Sequence, residues 1–186
     1  LDALSCIHSY GIVHRDIKPS NIMLEGGKNV KLMDLGIARL NGGNKFSTVG
    51  FIGTPQYASP EQIMRESASD DIDLRSDIYA LGITLYVLIA GYNPFDSNVQ
   101  MDILENQLKK KLPYSEKIDR PLFYIISKAT EKNPDRRYQS AMEFKDALTE
   151  YINSEPPKPF PTGLVVSVVV SLIVIAVAVY VFLMLM

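Results

Sequence analysis

The sequence holds a single cysteine, Cys6, among 186 residues. That excludes an internal disulfide framework and a cysteine-rich metal centre, and it suits a reducing compartment. A charge excess of either sign is also missing: 19 Lys and Arg stand against 21 Asp and Glu, for a formal net charge of -2. This excludes a polyanion binder working by bulk charge, so nucleic acid is not an expected partner. There is no internal repeat, and no G-x-G-x-x-G spacing among the eleven glycines. Charge disappears altogether after Lys158, so residues 164–186 carry none. What remains is an ordinary globular composition followed by an apolar tail. At roughly 100–200 residues per domain, there is room for one soluble domain before that tail.

The first residue is Leu1 rather than Met, and Leu1, Leu4 and Ile7 or His8 keep helical spacing from the outset. The sequence therefore reads as beginning inside an element, as a fragment at its front. Residues 1–9 are predicted to end a helix closed by Gly11. Residues 22–24 and 30–33 read as two short strands joined across Gly26 and Gly27, a hairpin signal. Residues 40–56 are rich in Gly, Asn, Ser and Thr without periodicity, which predicts a long loop. Ser59-Pro60-Glu61 looks like a helix start with Pro at the first helical position. Residues 76–90 are apolar around the whole circumference and predict a buried central helix. Three more helices are expected at about 98–110, 119–131 and 139–152.

Residues 153–163, with four prolines, read as a stiff linker. The 23 residues of 164–186 follow. As a helix they would span about 34 Å, against a hydrocarbon core of about 30 Å. Sixteen of the 23 are Leu, Ile, Val or Phe, and no turn residue interrupts them, which predicts a transmembrane helix over a buried strand pair.

The chemistry-bearing residues form an ordered set. HRDIKPSN occupies 14–21, directly after an apolar Ile12-Val13 and directly before the hairpin. It matches the catalytic-loop pattern H-R-D-x-x-x-x-N. Asp34-Leu35-Gly36 stands thirteen residues beyond Asn21, where a magnesium-binding Asp-Phe-Gly triplet belongs. GTPQYASPE at 53–61 matches the end of an activation segment, with Ser-Pro-Glu for Ala-Pro-Glu. Phosphoryl transfer needs positioning and charge neutralisation more than covalent help. A carboxylate at Asp16 suits a hydroxyl proton, Lys18 suits a transferring phosphoryl group, and Asn21 and Asp34 are hard oxygen donors of the kind Mg²⁺ takes.

On these three motifs, residues 1–152 resemble the C-terminal lobe of Hanks-type Ser/Thr protein kinases. GTPQYASPEQ, RSDIYALG, the proline-rich linker and the apolar tail together look most like bacterial transmembrane receptor kinases. The resemblance implies a mainly α fold, a kinase-like C-terminal lobe with a small β-hairpin at the cleft, plus one transmembrane helix and no N-terminal lobe. It implies ATP and Mg²⁺ as cofactors and a cell-membrane location with the kinase portion cytoplasmic. The implied partners are protein substrates bearing Ser or Thr, and a second copy pairing through the kinase domain.

By the same resemblance Asp16 and Lys18 are catalytic, Lys18, Asn21 and Asp34 face the nucleotide, and Asn21 and Asp34 hold the metal. Arg15 would receive a phosphate from the activation segment, with Ser47 and Thr48 as acceptors, and Thr54 marks Ser/Thr specificity. His14 packs, Asp77 holds the catalytic-loop backbone, and Glu61 pairs with Arg137, for which Arg136 competes. The glycine-rich loop, strand lysine and helix glutamate of the family's other lobe are absent, so the 186 residues alone are expected to show negligible activity. The rival readings are a membrane-tethered docking or dimerisation module from a truncated or split kinase, and a small-molecule phosphotransferase. The segment 53–61 argues against the latter.

Overall fold

In a computed structural model the described residues are 1–27, 29–35, 54–64 and 72–154, with the backbone alone at 46–47 and 50–51. The chain divides into two compact units, Leu1–Ile152 and Asn153–Met186. Almost all of the second unit, including the expected transmembrane segment 164–186, lies outside the described residues. Among the described residues no helix is long and apolar enough to cross a membrane.

The first unit is mainly helical. Helix α1 (Asp2–Ser9) ends where Gly11 turns left-handed at φ 71°. There the Gly11 N–H reaches the His8 carbonyl at 2.9 Å and the Ile12 N–H reaches Ile7 at 3.1 Å. These are the two bonds of a Schellman stop, and they turn the chain at once into the irregular run 12–17. Strands β1 (Ile22–Glu25) and β2 (Asn29–Leu32) pair antiparallel in the register Ile22 with Leu32 and Glu25 with Asn29, as the hairpin signal predicts.

The expected loop 40–56 differs in part. It contains a second minimal hairpin, β3 (Phe46–Ser47) with β4 (Gly50–Phe51), and a 3₁₀ turn at Pro55–Tyr57. Two-residue strands are too short to leave a period in a sequence.

Helix α2 (Pro60–Met64) begins at the expected proline. Ser59 caps it: its N–H and Oγ both donate to Gln62 Oε1, at 3.0 and 3.1 Å. This is one arm of an S-x-x-Q capping box. Helices α4 (Gln100–Lys109), α5 (Arg120–Ala129) and α6 (Ala141–Asn153) fall where periodicity expects them.

The core is organised around α3 (Arg75–Ala90). Ile78 packs with Ala129, Tyr138 and Phe144; Tyr86 and Ala90 pack with Ile118 and Ile126; Tyr79 and Ile83 pack with Phe95. Gly82 sets how near α5 can come. A Cβ there would lie 2.7 Å from Thr130 Cγ2 and 3.0 Å from Ala129 Cβ. Thr130 has little freedom to yield, because its Oγ1 donates to the carbonyls of Ile126 and Ser127. The burial of α3 is not complete, however. Leu88 and Ile89 are exposed, since the last turn is covered only on the side of Tyr86 and Ala90.

One ion pair ties α2 to this core. Arg137 Nη1 and Nη2 donate to Glu61 Oε1 and Oε2 at 2.6 and 2.8 Å. Its other N–H groups meet the carbonyls of Glu131, Arg75 and Lys132. All five guanidinium donors are thus used, which is how so large a charged group tolerates full burial. Arg136, the competing candidate, is exposed.

Burial pushes the Glu61 carboxyl up, but the hydrogen bonds and charge of Arg137, with Ser76, outweigh it and hold the group below the usual carboxylate range. A depressed carboxyl contributes stability that is complete above the pH at which a free glutamate titrates. That contribution is lost as pH falls through the folded value. Glu61→Gln is expected to cost about 3–5 kcal/mol at neutral pH, because it strands a buried guanidinium. Urea denaturation from pH 7 down to pH 3 checks this: the wild-type stability should converge on the variant's as acid is added.

Candidate active site

The stretch 12–18 runs from the stop of α1 to a 3₁₀ turn at Pro19–Asn21. Two groups pin its backbone. Asp77, in the first turn of α3 and 1% exposed, accepts the His14 N–H at 2.7 Å and the Arg15 N–H at 2.8 Å. His8 Nε2 lies 2.9 Å from the same carboxylate. On the other side, Gln62 Nε2 donates to the Arg15 carbonyl at 3.1 Å. Arg15 sits at φ 67°, a left-handed conformation costing on the order of 1–3 kcal/mol for a residue with a side chain. Bonds to both its N–H and its C=O hold it there.

Ile17 is buried against Leu4, Ala80 and Ala141. Its chain neighbours Asp16 and Lys18 are less buried, their side chains 16% and 20% exposed, beside Thr54. They meet there, with Lys18 Nζ 3.1 Å from Asp16 Oδ2. Asn21 Nδ2 donates to the Asp16 carbonyl at 2.8 Å and to Oδ2 at 3.1 Å. Lys18 Nζ also donates to Thr54 Oγ1 at 2.8 Å, which joins the catalytic loop to the segment before α2. A small recess beside Asp16 is walled by Ile17, Thr54, Tyr57, Ala58 and Ala80.

The hairpin delivers Asp34. Met33 donates its N–H to the Asn21 carbonyl at 2.8 Å, and its own carbonyl meets His14 Nε2 at 2.9 Å. His14, fully buried, accepts the Asp16 N–H at Nδ1, so the proton belongs on Nε2. Asp34 follows directly, exposed and left-handed at φ 52°. Arg15 and Asp34 are the two non-glycine residues with positive φ among the described residues. Each sits beside a carboxylate-bearing motif, where such strain concentrates. Leu35, after Asp34, is 39% exposed.

Asn21 and Asp34 could hold a divalent cation. The amide NH₂ of Asn21 is committed to Asp16, so its oxygen is the atom it can offer, beside the carboxylate of Asp34. Among the described residues no group of three His, Cys, Asp or Glu side chains could hold a metal alone. Two hard oxygens completed by phosphate oxygens and water fit Mg²⁺.

Of the expected regulatory residues, Ser47 is described only through the backbone of β3, and Thr48 lies outside the described residues. Three residues at the site carry no sequence expectation. His8 and Gln107 leave no mark on their helices, whereas Gln62 could have been found from the S-x-x-Q capping pattern after Ala58.

Residues 1–150 match the family described as protein kinase domain. Among curated relatives, serine/threonine-protein kinase PknB of Mycobacterium tuberculosis is 39% identical over 163 residues, 84% of this chain and 25% of the relative. PknB of Mycobacterium leprae is 38% identical over 162 residues, with the same shares covered. Serine/threonine-protein kinase Pkn1 of Myxococcus xanthus is 36% identical over 179 residues, 89% of this chain and 25% of the relative. The chain thus spans about a quarter of the length of these relatives. With its loop, hairpin and segment arranged around Asp16, and its first 150 residues matched throughout, the chain belongs to the protein kinase domain family.

Proposed function

We propose that these residues form the substrate-side half of a membrane-anchored protein serine/threonine kinase. Such an enzyme transfers the γ-phosphate of ATP to hydroxyls of protein Ser and Thr. The observation that carries this is the grip on Asp16: its carboxylate is held by Lys18 and Asn21, and Lys18 passes on to Thr54. A docking module has no need of that arrangement. The relatives, each named a serine/threonine-protein kinase, support the same reading.

Asp16 orients the incoming hydroxyl and accepts its proton. Lys18 sets a positive charge beside that carboxylate, where charge develops as the phosphoryl group moves. Asn21 and Asp34 would hold the metal. Mg²⁺ and ATP, when bound, supply the phosphoryl group and neutralise charge on its oxygens. Thr54 lines the recess in which a substrate residue sits.

The nucleotide also needs a roof, and these 186 residues contain no glycine-rich loop to form one. The test therefore uses a protein in which a glycine-rich lobe with its strand lysine is joined ahead of Leu1. Asp16→Asn there is expected to lower peptide phosphorylation by about 10²–10⁴-fold, the usual worth of general-base help. An unchanged rate in that variant removes the proposal.

Regulation follows from Arg15, whose backbone is fixed on both sides next to Asp16. A phosphate on Ser47 or Thr48 brings about −1.5 to −2 charges, enough to order the activation segment against a cation. Phosphopeptide mapping of active protein should find phosphate at one of the two, and a map showing neither discards this regulatory role. The apolar run 164–186 is proposed to anchor the protein with the kinase portion on the cytoplasmic side, where ATP is. Deleting 164–186 should move the protein from the alkali-resistant membrane fraction to the supernatant. Equal partitioning of both forms would mean the anchor is wrongly assigned.

A further inference from the structure

Behind the segment 54–57 lies a polar chain that the phosphoryl-transfer groups do not use. Gln107 of α4 is fully buried, as is Tyr79 of α3. Gln107 Nε2 donates to the Gln56 carbonyl at 2.6 Å and to the Pro55 carbonyl at 3.3 Å. Its Oε1 accepts the Tyr79 hydroxyl at 2.5 Å. Tyr79 Oη in turn accepts from Lys132 Nζ at 2.7 Å.

The direction of the chain is fixed from one end. Carbonyls only accept, so Gln107 must turn its NH₂ toward Pro55 and Gln56 and its oxygen toward Tyr79. Tyr79 must then donate to Gln107, and its lone pairs are left for Lys132. The far end is anchored as well. Lys132 Nζ stands 4.3 Å over the Phe95 ring, and the Arg137 guanidinium lies 4.9 Å over Tyr79. Burial, then the Arg137 charge, lowers Lys132 to about 7 against the opposing pull of Glu131, but amine and ammonium alike can donate to Tyr79.

A fully buried amide is costly unless each of its groups is paired. Here the pairing goes to a segment that supplies no regular ladder. Among the described residues, the backbone-to-backbone bonds of 54–57 are those of a 3₁₀ turn, Tyr57 N–H to Thr54 at 3.3 Å and Ala58 N–H to Pro55 at 3.2 Å. Asn93 Nδ2 shares the Gln56 carbonyl at 2.9 Å. The segment is thus gripped in front by Lys18 at Thr54, and from behind by Gln107 at Pro55 and Gln56.

We infer that Gln107, oriented by Tyr79, is a positioning residue for the peptide substrate. It holds the 54–57 backbone at the height at which Thr54 meets Lys18 and the recess beside Asp16 keeps its shape. This rests on the proposed kinase function, which makes 54–57 the substrate-facing segment.

Two measurements on the lobe-joined protein test it: steady-state kinetics with a Ser-containing peptide, and amide hydrogen exchange at Tyr57 and Ala58. Gln107→Leu, of similar volume but without polar atoms, is expected to raise the peptide KM about tenfold and to speed exchange at both amides by at least as much. The KM for ATP should stay unchanged. Gln107→Met, which has no N–H or O–H to give the carbonyls, should behave like Gln107→Leu. Tyr79→Phe removes only the orienting hydroxyl and should give a smaller change of the same kind. The inference is overturned if Gln107→Met keeps the wild-type peptide KM and exchange, or if Gln107→Leu lowers Tm alone. Should Gln107→Leu fail to fold, Tyr79→Phe with unchanged exchange at Tyr57 and Ala58 is equally decisive against it. A protein that transfers no phosphate refutes the proposed function instead, and the exchange measurement then still decides the role of Gln107.

Discussion

The rest of the site depends on one buried carboxylate. Asp77 is almost without solvent, and an isolated charge in such a place is untenable. It is stabilised by two backbone N–H groups of the catalytic loop and by His8, which donors in water could not do at so little entropic cost. The dependence runs both ways. Asp77 helps to hold Arg15 in its left-handed conformation, and the loop's N–H groups pair the Asp77 carboxylate in the core. Its place in the first turn of α3 adds the favourable end of the helix dipole.

From that point the structure is a sequence of paired polar groups set into an apolar frame. Arg137 spends all five of its donors, two of them on Glu61, and so ties α2 to the turn before α6. Gln62, one residue after Glu61, reaches the carbonyl of Arg15, so the same short helix that carries the ion pair also braces the catalytic loop. The loop that bears Asp16 is thus held by α3 from one side and α2 from the other. The apolar clusters around α3 reach the recess beside Asp16 through Ile17 and Ala80. They determine where the N-terminal end of α3 lies and hence where Asp77 points.

The distribution of strain follows the same division. Helices and hairpin are locally consistent, with a Schellman stop on α1 and a capping box at the head of α2. Among the described residues the unfavourable backbone falls at Arg15, next to Asp16, and at Asp34 itself. Groups that must be placed to within a fraction of an ångström sit on irregular chain. The regular elements supply the hydrogen bonds that make the irregular chain rigid.

Local pattern was enough for the helices α3 to α6, for the hairpin of β1 and β2, and for the start of α2 at Pro60. Each of these is written in periodicity, in turn residues or in a proline whose φ is already helical. The motif spacing likewise brought Asp16, Lys18, Asn21 and Asp34 into view, because three of them lie within six residues and the hairpin carries the fourth back to them. Other features had no local signature. Arg136 and Arg137 are neighbours of identical type, and only burial in the folded chain distinguishes them. His8, Gln107 and Lys132 look like ordinary polar positions on or beside amphipathic helices. Their partners are 69, 28 and 53 residues away along the chain. A sequence read by itself reports what each residue prefers next to its neighbours. Which distant carbonyl, hydroxyl or carboxylate it must satisfy is decided only when the apolar faces close and water is removed from between them.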